Sequence, residues 1–151
     1  MKLKIILGTF ALAASTMVYA DVGHKKETSI IGEPGNINKV NRIINIDMND
    51  TMRFTPNKIS VKKGETIKFV VKNSGKIKHE MVLGSLQELK EHAEMMQKMP
   101  DMEHADENQI SLEPGKKGEL IWKFNNKGVV NFGCLEPGHL EAGMKGNLIV
   151  K

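Results

Sequence analysis

Hydrophobic and polar residues alternate in short bursts along the chain from Val40 onward. In Lys58-Ile59-Ser60-Val61-Lys62 the period is two, and Thr66-Ile67-Lys68-Phe69-Val70-Val71-Lys72 resumes in the same manner after the turn Lys63-Gly64-Glu65. Val40 to Met48 with Met52 to Phe54, His79 to Leu83, Gln109 to Leu112, Glu119 to Phe124, Val129 to Phe132 and Gly146 to Val150 read as further strand material. Turn formers separate them: Thr55-Pro56-Asn57, Asn73-Ser74-Gly75, Glu113-Pro114-Gly115 and Asn125-Asn126-Lys127-Gly128. About eight short strands at this spacing predict an all-β fold, a β-sandwich.

One segment, Ser85 to Met99, departs from that texture. Ser85 and Glu88 form an S-x-x-E capping box, strong helix formers fill the interior, and Pro100 supplies a stop, so a helical insertion is predicted over about 85–99. Leu86, Leu89, Ala93 and Met96 share the stripe expected to pack on the sandwich.

The N-terminus has another character. Met1-Lys2-Leu3-Lys4 is basic, Ile5 to Val18 is apolar or small, and Val18-Tyr19-Ala20 offers small residues before a cut, which predicts a signal peptide over 1–20 and export. The apolar run is short of the roughly 20 residues of a membrane span, so no stable membrane insertion is expected once it is cleaved. Residues 21–39 lack periodicity and are expected to form a flexible lead-in to a domain over 40–151. Removing residues 1–20 leaves 20 basic against 18 acidic side chains, a net charge of +2, which does not point to a nucleic-acid partner.

Export sharpens the meaning of the single cysteine, Cys134, which has no partner for an internal disulfide. Metal ligation is a good reason to keep such a thiol in an oxidising compartment. Cys134, His139 and Met144 stand at C-x4-H-x4-M spacing, and His79 lies 55 positions upstream of Cys134 at the start of a predicted strand. A thiolate, two imidazoles and a weak thioether are the ligand set of electron-transfer copper, with copper ion as cofactor and partner. Zinc suits the set less well, since a thioether is a poor zinc ligand and structural zinc sites carry more cysteines. One cysteine excludes a binuclear copper centre built on a cysteine pair, and the chain has no His-x-His motif to support a multinuclear cluster. The chain does not read as an enzyme.

With His79-Glu80-Met81, the C-x4-H-x4-M loop, Phe54-Thr55-Pro56 and Ile59 to Glu65 in place, Val40 to Lys151 resembles a cupredoxin, a type 1 copper protein. It is most similar to the small exported cupredoxins associated with bacterial copper tolerance. The resemblance implies a Greek-key β-sandwich, equatorial ligation by His79, Cys134 and His139, and axial ligation by Met144. It also implies a periplasmic role in copper tolerance through cuprous ion binding or oxidation and one-electron transfer, with a redox protein as partner. A dedicated respiratory electron carrier and a non-cycling copper chaperone or storage protein are the alternatives. A flat apolar patch around His139, to which Leu135 and Leu140 would contribute, favours the carrier. The four-residue Cys-to-His spacing is shared with plant phytocyanins, whose disulfide this chain cannot form.

The insertion adds a second candidate. His92, Met95 and Met99 fall on a stripe beside the packing stripe, with Met102 and His104 just past Pro100, and thioethers with imidazoles suit cuprous ion. The plain alternative is methionines that fill gaps and an exposed His92.

Overall fold

The alternating pattern resolves into two five-stranded sheets packed face to face. The computed structural model describes residues 31–99 and 106–151. The signal peptide expected over 1–20, the first part of the lead-in and the candidate ligands Met102 and His104 lie outside the described residues. The elements are β1 (Glu33–Pro34), β2 (Arg42–Asn49), β3 (Arg53–Thr55), β4 (Lys58–Val61), β5 (Thr66–Asn73), β6 (His79–Gly84), α1 (Leu86–Lys98), β7 (Gln109–Leu112), β8 (Lys117–Lys123), β9 (Gly128–Gly133) and β10 (Lys145–Val150). One sheet runs β1-β8-β5-β2-β3 and the other β4-β10-β9-β6-β7. β2 with β5 and β4 with β10 are parallel pairs, and the other pairs are antiparallel.

Period-two burial explains why the sheets face one another. Ile59 and Val61 of β4, Ile67, Phe69 and Val71 of β5, Leu120 and Trp122 of β8, and Val130 and Phe132 of β9 all point into one core. Phe54 and Phe132 meet edge to face across it, ring centroids 5.1 Å apart. Strand β6 is buried on both faces. Met81 and Leu83 join the main core, whereas Val82 joins a second cluster with Leu89, Ala93 and Met96 of α1.

Helix α1 starts where its capping box predicts. The Ser85 hydroxyl accepts from the Glu88 N–H at 3.2 Å, and the Glu88 carboxylate accepts from the Ser85 N–H at 2.6 Å. Of the expected packing stripe, Leu89, Ala93 and Met96 are buried, but Leu86 is 46% exposed. Leu86 is the first helical residue, and the close approach to the sheet begins a turn later, where Leu89 sits against the bare backbone of Gly84.

Among the described residues ten strands stand where about eight were expected, and the addition corrects the lead-in. Residues 31–39, assigned to the flexible 21–39 segment, belong to the fold. Glu33 pairs with Lys123 and Pro34 with Trp122. Ile31 is 3% exposed and its carbonyl accepts a 2.9 Å hydrogen bond from the Trp122 indole. A two-residue edge strand containing proline has no periodicity to read.

Candidate metal centre

Strand register brings the proposed ligands to one end of the sandwich. β6 pairs with β9 so that Val82 faces Gly133, which sets the first residues of β6 beside the residue that follows β9. The Glu80 N–H consequently donates to the Cys134 sulfur at 3.4 Å. Beyond Cys134 the chain closes a loop held by its own backbone. His139 N–H donates to Glu136 O, Met144 N–H to His139 O, and Cys134 N–H to Met144 O, each at 3.0 Å. Gly138 (φ +83°) and Gly143 (φ +97°) supply left-handed turns that a side chain disfavours. From β3, Arg53 braces the loop through a 2.9 Å hydrogen bond to the Ala142 carbonyl.

Helix α1 forms a lid over this loop, with Leu135 and Leu140 in the cluster made by Val82, Leu89, Ala93 and Met96. The two leucines are 0% and 7% exposed, so they do not contribute to an apolar surface patch around His139. The helix buries them, a tertiary contact that the loop sequence alone does not reveal. At the far end of α1, the Gln97 amide donates to Glu141 at 2.8 Å and ties the helix to the loop again.

Donor atoms of His79, Cys134 and His139 all lie within 4.8 Å of one another. Cys134 Sγ is 3.2 Å from His139 Nδ1, and the two imidazole centroids are 5.0 Å apart. Met144 is fully buried in the same core as Cys134. Burial pushes the Cys134 thiol up to about 12 and, ahead of the neighbouring His79, holds His139 below the ordinary histidine value. At neutral pH a thiol therefore faces an uncharged imidazole.

His79 tests whether a metal fits. The ring is fully buried, and its Nε2 lies 3.1 Å from Asp50 Oδ1. The Lys76 backbone N–H and then His79 hold the Asp50 carboxyl below its ordinary range, so Asp50 is an acceptor and Nε2 must donate. Nδ1, the other ring nitrogen, is buried and has no hydrogen-bond partner. An unsatisfied buried nitrogen beside a thiol and a second imidazole fits a metal ion of borderline to soft character.

The thiol value sets a proton count. A coordinating thiolate must give up its proton, so copper loading at pH 7.5 is expected to release about one proton, and the apparent affinity rises about tenfold per pH unit over pH 7–9. Calorimetric titration in two buffers of different ionisation enthalpy reads this count, and zero protons contradicts it. Folding raises the thiol from 9.0 to about 12. Its contribution to the metal-free fold is thus complete below pH 9 and is lost as pH climbs toward 12.

Two acidic residues at the site carry little sequence signal. Glu80 is buried and accepts from the Leu135 N–H at 2.9 Å and the Ser111 hydroxyl at 3.1 Å, joining β6, β7 and the ligand loop. Burial raises its carboxyl above the ordinary range. An acid next to the candidate ligand His79 is a faint clue for Glu80. Asp50, 29 positions from His79 in a polar turn, offers none.

The helical candidates are placed differently. His92 and Met95 line an open cleft of about 400 Å³ with Glu88, Glu91 and Asp106, and Met99 is 43% exposed at the helix end. Among the described residues, His92 belongs to no group of three His, Cys, Asp or Glu donors gathered at metal-binding distance.

Comparison with known proteins agrees with this geometry. Residues 40–151 match the family model described as copper binding proteins, plastocyanin/azurin family. The copper-resistant cuproprotein CopI of Rubrivivax gelatinosus is 42% identical over 97% of this chain and 94% of its own length. CopI of Vibrio cholerae serotype O1 is 38% identical over 77% of this chain and 69% of its own length. The dithionite-reduced auracyanin of Roseiflexus castenholzii, 21% identical, superposes with a TM-score of 0.62 over 73% of this chain and 96% of its own, which shows the fold. Sequence, sandwich topology and a His-Cys-His donor set with methionine at hand converge, and the chain belongs to the plastocyanin/azurin family of copper-binding cupredoxins, with copper as its cofactor.

Proposed function

We propose that this protein is an exported copper-handling cupredoxin that contributes to copper resistance. In this reading His79, Cys134, His139 and Met144 hold one copper, which supplies a one-electron couple when bound. The observation that carries it is the fully buried, unpartnered Nδ1 of His79, in a cluster whose His79, Cys134 and His139 donors lie within 4.8 Å of one another. Rigid strands and the loop closed on Cys134 limit ligand movement, which keeps reorganisation small when the charge at the site changes. Half-buried His139 gives the site an edge toward solvent through which an electron can pass to a redox partner, while the sulfur stays inside.

No substrate is turned over by acid or base chemistry in this reading. Among the described residues no helix is long and apolar enough to cross a membrane. Export to the periplasm rests on the N-terminal 20 residues. The 42% identity to a copper-resistant cuproprotein supports the physiological role.

The role is tested in a copper-sensitive bacterial host lacking its own periplasmic cuproprotein. Expression of the full chain is expected to restore growth on copper and to place the protein in the periplasmic fraction. Equal growth with the parent and with Cys134→Ser would contradict a resistance role that depends on this site.

A further inference from the structure

The Asp50 carboxylate behind His79 is held more firmly than its 38% exposure suggests. The Lys76 N–H donates to Asp50 Oδ2 at 2.8 Å and approaches Oδ1 at 3.1 Å. The loop that brings Lys76 there is itself fixed. Buried Asn73 donates to the Ile77 and Leu112 carbonyls at 2.8 and 2.9 Å and accepts from the Gly75 N–H at 2.9 Å. The Ser74 hydroxyl donates to Asp47 at 2.7 Å. Gly75 is required at its position because a Cβ there would collide with the Asp50 carboxylate. The whole β5–β6 connection therefore presents one carboxylate oxygen to His79 Nε2 at 3.1 Å.

We propose that Asp50 is a positioning residue that biases the site toward cupric copper. The inference rests on the reading of His79 as a copper ligand and adds how its affinity for the two oxidation states is set. Asp50 accepts the Nε2–H, which fixes the tautomer that turns the Nδ1 lone pair toward Cys134 and His139. A carboxylate behind a ligand imidazole also makes that imidazole more basic, which favours the more highly charged ion. The Lys78 ammonium is paired with Glu136 at 3.2 Å, so it does not cancel the Asp50 charge. Partial exposure screens the effect. The expected bias is about threefold in the ratio of cupric to cuprous affinity, about 28 mV for one electron at 59 mV per tenfold.

Asp50→Asn and Asp50→Ala separate charge from positioning. Asparagine keeps an oxygen that accepts from Nε2 but removes the charge; alanine removes both. The readouts are the reduction potential of the copper-loaded proteins and the ¹⁵N shifts of His79 in the metal-free proteins at pH 8. The parent is expected to show the Nε2–H tautomer. Asparagine should retain it with a potential raised by the stated amount, and alanine should give mixed tautomers with a potential at least as high. A parent and an Asn variant of equal potential overturn the charge effect, and an unmixed Nε2–H tautomer in the Ala variant overturns the positioning. If instead the parent shows no copper–thiolate absorption, the ligand reading fails, and the proposal falls with it.

Discussion

Replacing Cys134 by serine is expected to weaken cupric copper retention at least about 100-fold, beyond the 10- to 100-fold typical of losing an outer-shell partner. The reason is chemical. The sulfur lies within 4.8 Å of both imidazole donors and has no exposed surface, so no other soft anionic donor among the described residues stands ready to replace it. Serine is nearly isosteric, and its oxygen can accept the Glu80 N–H that now meets the sulfur at 3.4 Å. The fold is therefore expected to persist. Copper remaining after competition with a chelator, measured beside the far-ultraviolet circular dichroism of both proteins, checks the two halves together. Unchanged copper retention in the folded variant would contradict the assignment of the thiolate.

A stability effect of comparable consequence is expected at Trp122. Truncation to alanine should cost about 3–5 kcal/mol, the range for a large aromatic side chain in a core. Trp122 is fully buried, lies opposite Ile67 in β5 and Pro34 in β1, and donates its indole N–H to Ile31. The variant loses core packing and leaves the Ile31 carbonyl without that donor, so the β1 edge should loosen first. Because Trp122 is the single tryptophan, denaturant unfolding must be followed by circular dichroism rather than by its fluorescence. A loss under 1 kcal/mol would show that the 31–34 segment and the core beneath it are not coupled as described.

Trp122 also marks where the sequence was silent about the fold. β7 appears with the bounds that its pattern predicts, Gln109–Leu112; β5, β6 and β10 differ by one residue at one end, and β8 and β9 by one or two residues at both ends. These strands are legible because one face is buried and the other is wet, which imposes period two on the residues. β1 has two residues and a proline, and its place is set by Lys123 and Trp122 about 90 positions away. Capping chemistry made α1 legible, since Ser85 and Glu88 satisfy each other locally.

The site divides along the same line. Cys134, His139 and Met144 are ordered by a loop of eleven residues, so their spacing speaks for their proximity. His79 was reachable because a strand start is a rigid place for a ligand, and register then sets it beside Cys134. Asp50 and the burial of Leu135 and Leu140 depend on how separate elements dock, a matter of tertiary packing that no local pattern records. Exposure of Leu86 has the same origin.

In the proposed reading, His79, Cys134 and His139, with Met144, hold one copper that cycles between two oxidation states. The visible absorption spectrum of the protein loaded with one equivalent of cupric ion tests it most directly, because the thiolate–copper bond is itself the chromophore. Intense visible absorption that bleaches with a mild reductant and returns on reoxidation is the expected result. A colourless protein that retains only cuprous ion would contradict it.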